Sequence, residues 1–211
     1  MSAPGKSVTI WTDEPRRRGL AWAAGNAGRL ARQCRLGALM RFISVVGHLG
    51  VPGMKLFGTL QAWALRRMGA QCTSNQIWIG PGVHFDFPGN LVFGRRVVIG
   101  GGSRITARET IVIGDDFLSA PGLFLNTGTH DLATLVPQSS PITIEPGVWC
   151  GTRVTVCAGV TIGRGAILGA GSLVLDDVPP GHLAFGSPCK PRRDLTPLRR
   201  DARLWSNFRA R

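Results

Sequence analysis

Between Ile144 and Val178 the chain repeats every six residues, and that period constrains its fold more than any other feature. Ile144, Cys150, Val156, Ile162, Leu168 and Val174 fall in one column, and Val148, Val154, Val160, Ala166, Ser172 and Val178 in a second. A third column, one residue ahead of the second, reads Gly147, Arg153, Gly159, Gly165, Gly171, Asp177. An amphipathic helix needs apolar residues spaced by three and four, and recurrent glycine would weaken it, so six is not a helical period. It suits a short strand with one aliphatic side chain pointing inward, followed by a corner where glycine reaches positive φ without a Cβ clash. Hexads of this kind mark a parallel β-helix.

The beat starts at Ile77, slips near Leu91-Val92, and shifts by two residues around Arg108-Glu109. It stops after His130 for an excursion over 131–143, and ends at Val178-Pro179-Pro180-Gly181, where prolines are expected to stop strand addition. A loop that leaves a regular solenoid at one point is more often functional than decorative. Upstream, helical spacing predicts one helix from Arg16 to about Val46 and a second from Pro52 to Met68, the latter closed by Gly69. The expected organisation is therefore an N-terminal arm and amphipathic helical cap over 1–72, a solenoid domain over 73–188 and a basic tail over 189–211. Leu195, Leu198, Leu204, Trp205 and Phe208 predict a short helical tail.

The formal net charge of +13 is carried by the ends. Residues 1–72 hold eleven Lys or Arg against two acids and 190–211 hold eight against two, whereas 73–189 hold six against eight. Without a nucleic-acid motif beside it, this basicity fits an anionic small ligand or an acidic membrane surface at least as well as a duplex. The N-terminal helices either cap the solenoid or rest on anionic lipid, so peripheral membrane contact is one expectation for them. No run reaches the roughly 20 apolar residues of a membrane span. Five cysteines with no C-x-x-C pair, and no signal-peptide pattern, predict a cytoplasmic protein with reduced thiols.

Several runs then carry a family resemblance: Ile113-Gly114-Asp115-Asp116, Asn126-Thr127-Gly128-Thr129-His130-Asp131, Pro141-Ile142-Thr143-Ile144 with Val148-Trp149-Cys150-Gly151, and Gly186-Ser187-Pro188-Cys189-Lys190. Over about 73–193 the chain resembles the hexapeptide-repeat O-acetyltransferases of the maltose/galactoside and colanic-acid-biosynthesis types. The resemblance implies a left-handed parallel β-helix of eighteen residues per coil, an exception to the usual crossover hand. It also implies a homotrimer with sites between subunits, acetyl-CoA as co-substrate, and a carbohydrate acceptor in a surface polysaccharide or its building block.

Carried over residue by residue, the resemblance implies His130 as general base for the acceptor hydroxyl, because a protonated alcohol is a poor nucleophile. Asp131 either orients that ring or belongs only to the loop. Trp149, Thr152 and Ala170 match the coenzyme contacts, with Thr152 and Ala170 expected on successive coils, and Lys190 and Arg193 match cations beside the nucleotide phosphates. On the acceptor side Asn126, Arg108 and Glu109 are candidates. The chain departs here from the maltose/galactoside pattern, since Gly101-Gly102-Ser103-Arg104 and Ala107-Arg108-Glu109 stand where those enzymes carry Asn and Asp. Direct attack on the thioester is implied, without a covalent serine or cysteine. His48, His84, His130 and His182 include no close pair, so the three-histidine zinc site of carbonic anhydrases on this fold is not expected. Two alternatives stay open: an acceptor that is an amino sugar, serine or antibiotic, and a non-catalytic scaffold.

Overall fold

In a computed structural model of the chain, the described residues are 31, 37–39 and 54–196. Residues 31 and 37–39 are helical; the rest of the helix expected over 16–46, and the tail from Leu198 onward, lie outside the described residues. The second expected helix is α1 (Met54–Arg67), ending in Arg66 and Arg67 at the negative end of its dipole. Strands then follow in groups of three, one group per coil. The first is β1 (Gln71–Cys72), β2 (Ile77–Ile79) and β3 (His84–Asp86), the second β4 (Leu91–Phe93), β5 (Val97–Ile99) and β6 (Arg104–Thr106), and the third β7 (Ile111–Ile113), β8 (Leu118–Ser119) and β9 (Phe124–Asn126). A hairpin, β10 (Gly128–His130) and β11 (Pro137–Ser139), leaves the solenoid before the chain re-enters it. Next come β12 (Ile142–Ile144), β13 (Trp149–Cys150) and β14 (Thr155–Val156), then β15 (Thr161–Ile162), β16 (Ile167–Leu168) and β17 (Leu173–Val174), and finally β18 (His182–Gly186) and β19 (Cys189–Asp194).

Each coil contributes one strand to each of three faces, giving sheets ordered β1-β4-β7-β12-β15, β19-β18-β16-β13-β8-β5-β2 and β17-β14-β9-β6-β3. Both hexad columns point inward, where Ile144, Ile162, Leu168, Val148, Val154 and Ala166 are buried. Ile144 pairs with Ile162 and Cys150 with Leu168, the eighteen-residue stacking expected. The third column makes the corners: Gly147, Gly159, Gly165 and Gly171 have φ between 67° and 85°, and Arg153 adopts the same left-handed conformation at 57°. Serines in the inward columns answer corner backbone groups. Ser103 donates to Gly100 O at 2.6 Å and accepts from Leu123 N at 3.1 Å, so the interior stays satisfied.

Early coils are longer. Ile77 pairs with Val97, His84 with Arg104, Leu91 with Ile111 and Arg104 with Phe124, steps of 20 residues. The extra residues lie at one corner, first over Phe87–Asn90 and then over Ala107–Thr110, and the excursion holding β10 and β11 leaves the same corner one coil later. These insertions are stitched together. Asn90 Nδ2 donates to the carbonyls of Ala107 and Arg108, and Thr127 Oγ1 donates to Thr106 O while accepting from Glu109 N.

The ends of the solenoid need cover, because a sheet edge offers unpaired backbone groups. At one end α1 buries Ala62, Ala64 and Leu65, and the Gln61 amide both donates to Ile79 O and accepts from Ile79 N, as a neighbouring strand would. At the other end the expectation that prolines stop strand addition is corrected. Pro179 and Pro180 occupy a corner, and β18 still joins β16 in parallel before β19 folds back antiparallel on it. Cys189–Asp194, the start of the expected basic tail, is thus a strand of the solenoid's last sheet, and its Lys190, Pro191, Arg192 and Arg193 are residues that suit an exposed edge.

Candidate active site at the interrupted corner

Where the excursion leaves the solenoid, a cleft of about 480 Å³ opens between the outer face of β6 and β9 and the hairpin β10–β11. Arg104, Thr106, Phe124 and Asn126 line it from the sheet, Arg108 from the corner, and Gly128, Thr129, His130, Pro137 and Gln138 from the hairpin. Three of the acceptor- and base-side residues read from sequence, His130, Asn126 and Arg108, therefore meet in one place. Asn126 shapes the turn that opens the hairpin: its Oδ1 accepts from Gly128 N and its Nδ2 donates to Gly128 O, both at 3.1 Å. Gly128 leaves room for Arg108, since a Cβ there would come within 3.1 Å of Arg108 Cδ. His130 ends β10 opposite Pro137, with its side chain exposed to the cleft.

Asp131 and Glu109 face elsewhere. Asp131 Oδ1 accepts from Thr134 N and Oγ1 at 2.8 Å and from Ala133 N at 3.0 Å, and these bonds hold its carboxyl below the usual carboxylate range. Of its two readings, the contacts favour the loop one: Asp131 closes the turn beyond His130. Glu109 Oε1 likewise accepts from Thr110 N at 3.0 Å, closing its own corner.

Arg104, Thr106, Phe124 and Gln138 were missed as site residues. Arg104 and Thr106 share Asp86, with Arg104 Nη2 and Thr106 Oγ1 each 3.0 Å from Asp86 Oδ2 and His84 Nε2 3.0 Å from Asp86 Oδ1. Burial pushes the Asp86 carboxyl up, but the bonds from Thr106, Arg104 and His84 together outweigh it and hold it low. Registering the insertions would have revealed the set, because His84, Arg104 and Phe124 stack in one outward column and Asp86, Thr106 and Asn126 in the next.

The coenzyme-side residues lie on another edge of the prism. Trp149 stands outward on β13, 45% exposed. Thr152 and Ala170 are exposed at the corner between β13 and β14 and the corner one coil on, where Gly171 N donates to Thr152 O at 2.8 Å. Lys190 and Arg193 are on β19, with Lys190 Nζ 2.8 Å from Asp176 Oδ2. The corner of Thr152 and Ala170 borders the β3-β6-β9-β14-β17 face on the side opposite the corner that carries the hairpin and His130. Among the described cysteines, burial raises the Cys72 thiol to about 11 and pushes those of Cys150, Cys157 and Cys189 up as well, which disfavours the thiolate form. Among the described residues no cluster of His, Cys, Asp and Glu could hold a metal ion, and no helix is long and apolar enough to cross a membrane.

A hexad-built parallel solenoid with a cleft at its one interrupted corner defines a structural class, and comparison with known proteins narrows it. No protein-family model matches the chain. The galactoside O-acetyltransferase of Escherichia coli (strain K12) is 36% identical over 123 residues, 56% of this chain and 61% of that protein. The galactoside O-acetyltransferase of Lactococcus lactis subsp. lactis (strain IL1403) is 32% identical over 137 residues, 62% of this chain and 66% of that protein. The chain thus spans less than two thirds of the length of either curated relative. A solved structure of a galactoside acetyltransferase in complex with coenzyme A superposes with a TM-score of 0.67 and 26% identity, covering 92% of this chain and 90% of that one. The putative acetyltransferase YJL218W of Saccharomyces cerevisiae (strain ATCC 204508 / S288c) is 31% identical over 137 residues, 63% of this chain and 69% of that protein. The chain belongs to this family of hexapeptide-repeat acetyltransferases, to which the galactoside O-acetyltransferases above are similar.

Proposed function

We propose that this protein is an acetyl-CoA-dependent O-acetyltransferase that acts on a sugar hydroxyl, in a surface polysaccharide or its oligosaccharide building block. The observation that carries the reading is the exposed His130 ring on the wall of the corner cleft, in a chain similar over nearly its whole length to a galactoside acetyltransferase structure that holds coenzyme A. His130 takes the proton of the acceptor hydroxyl as the oxygen attacks the thioester carbonyl, and the thiolate leaves. Phe124 offers an apolar face to a pyranose ring, and Asn126 fixes the turn that sets His130.

On the donor side, small side chains and exposed backbone at Thr152 and Ala170 suit an amide-bearing arm, and Lys190, Arg192 and Arg193 on β19 suit phosphates. The donor supplies an activated acetyl group; the protein's part is to line it up with His130. Thr152 and Ala170 lie at a different corner from His130, which favours a site formed between two copies of the chain. The outward column Trp78, Val98, Leu118, Trp149, Ile167 and Leu183, apolar at six successive positions, supports such an interface and with it the homotrimer. We extend the proposal to contact of the basic N-terminal segment with anionic lipid. Trp63, 43% exposed with the Arg67 guanidinium 5.3 Å above its ring, supports this, and vesicle co-sedimentation tests it.

The deciding experiment measures thiol release from acetyl-CoA with a panel of glycans, for the wild type and for His130→Ala, with mass analysis of the product. Acceptor-dependent release that the substitution abolishes is expected. If no acceptor raises release and the variant behaves as the wild type, the acetyltransfer reading fails. Sedimentation should give three times the chain mass, and a monomer would remove the shared site.

A further inference from the structure

The cleft beside His130 carries an excess of positive charge, and no carboxylate lines it. Arg104 is balanced by Asp86, whose carboxylate also serves Thr106 and His84. Arg108 has no such partner among the described residues. Its guanidinium lies 5.3 Å from the centroid of the Phe87 ring and its Cδ packs on Gly128, so its position is fixed from two sides while its N–H donors stay uncommitted. A solvated surface arginine would spread over many rotamers. This one sits on the rim of a concave site, one coil from the base.

We propose that the acceptor is an anionic sugar, whose carboxylate or phosphate is held by Arg108 while a nearby hydroxyl faces His130. The inference rests on the acetyltransfer reading. A planar guanidinium pairs with a carboxylate or phosphate through two parallel N–H···O bonds, stronger than neutral ones and fixed in direction. Such a bond selects charge and also sets which hydroxyl reaches the imidazole. Phe87 and Arg108 both lie on the corner insertions that lengthen the early coils, and their contact places the guanidinium at the cleft.

The test compares kcat/KM for matched acceptors: a neutral glycoside, the corresponding uronic-acid glycoside and the corresponding sugar phosphate. The wild type is expected to prefer one or both anionic sugars by about tenfold or more, the usual worth of a charge-assisted hydrogen bond. Arg108→Met, which keeps packing on Phe87 and Gly128, should bring the ratio close to one, and Arg108→Lys should restore part of it. A preference confined to the uronic acid or to the phosphate identifies the group bound. Transfer that favours the neutral sugar, or a ratio unmoved by Arg108→Met, overturns the inference and leaves acetyl transfer standing. Absence of transfer to every acceptor overturns both.

Discussion

The upper and lower halves of the solenoid share an interior and differ at one corner. From β12 to β17 each strand stacks eighteen residues from the next, and the corners are plain, with glycine or Arg153 in the left-handed conformation. Before β12 the steps between stacked strands are 20 residues in β2–β9 and then 31 across the hairpin, and the added residues pile up at a single corner with His130. Inward columns are the same in both halves. The fold is thus set by what points in, and the proposed chemistry is placed where the chain is allowed to be irregular.

The largest expected effect tests that division at His130. His130→Ala should lower acetyl transfer by about 10²–10⁴-fold, the usual share of a general base, while leaving the thermal midpoint near that of the wild type. Steady-state rates beside a melting curve check it; loss of both together would mean that His130 holds the fold. Core truncations sharpen the contrast. Leu168→Ala in a plain coil and Leu125→Ala beside Asn126 should each cost about 2–5 kcal/mol in denaturant titrations, both side chains being fully buried. Among molecules that remain folded, only Leu125→Ala should lower the transfer rate.

Corner glycines separate space from backbone strain. A Cβ on Gly163 would lie 2.4 Å from the backbone nitrogen of Pro180, so Gly163→Ala must push two coils apart at a cost of about 1–3 kcal/mol. Gly171 has open space and a φ of 70°, and Gly171→Ala should cost only the left-handed conformation, about 1 kcal/mol. Equal costs would mean that coil spacing is soft.

The smallest effect concerns the ion pairs that bridge the 20-residue coils, Arg95 with Asp115 and Arg96 with Asp116. The Arg95 backbone N–H and guanidinium hold the Asp115 carboxyl below its ordinary range. Its contribution is fully present above about pH 4, the unfolded value, and disappears as pH falls through the lowered one. Asp115→Asn should therefore cost under about 1 kcal/mol at neutral pH, since the pair is partly exposed, and the gap should close in acid. A gap that widens in acid would reverse the sign of this linkage.

Much of this was legible in the residues. Period six gave the inward columns because burial leaves an aliphatic trace at each step; His130 and Asn126 stood out at the break, and Arg108 at the two-residue shift before it. Arg104, Thr106 and Phe124 did not, since they meet the cleft through 20-residue stacking that a search for eighteen misses. β18 and β19 were hidden by Pro179 and Pro180, which break a strand only when they fall within it rather than at a corner. The turn closed by Asp131 was beyond reach, because an aspartate beside a histidine reads equally as its partner or as the cap of the next turn.

Excising residues 128–140 would convert the interrupted coil to a plain one of eighteen, and the rate of acetyl-CoA-dependent transfer in that variant tests the central claim most directly. A cooperative melt and β-rich circular dichroism close to those of the wild type, with no transfer to any acceptor the wild type uses, is the expected result. Transfer at the wild-type rate from the excised protein would contradict it, placing the chemistry on the regular coils.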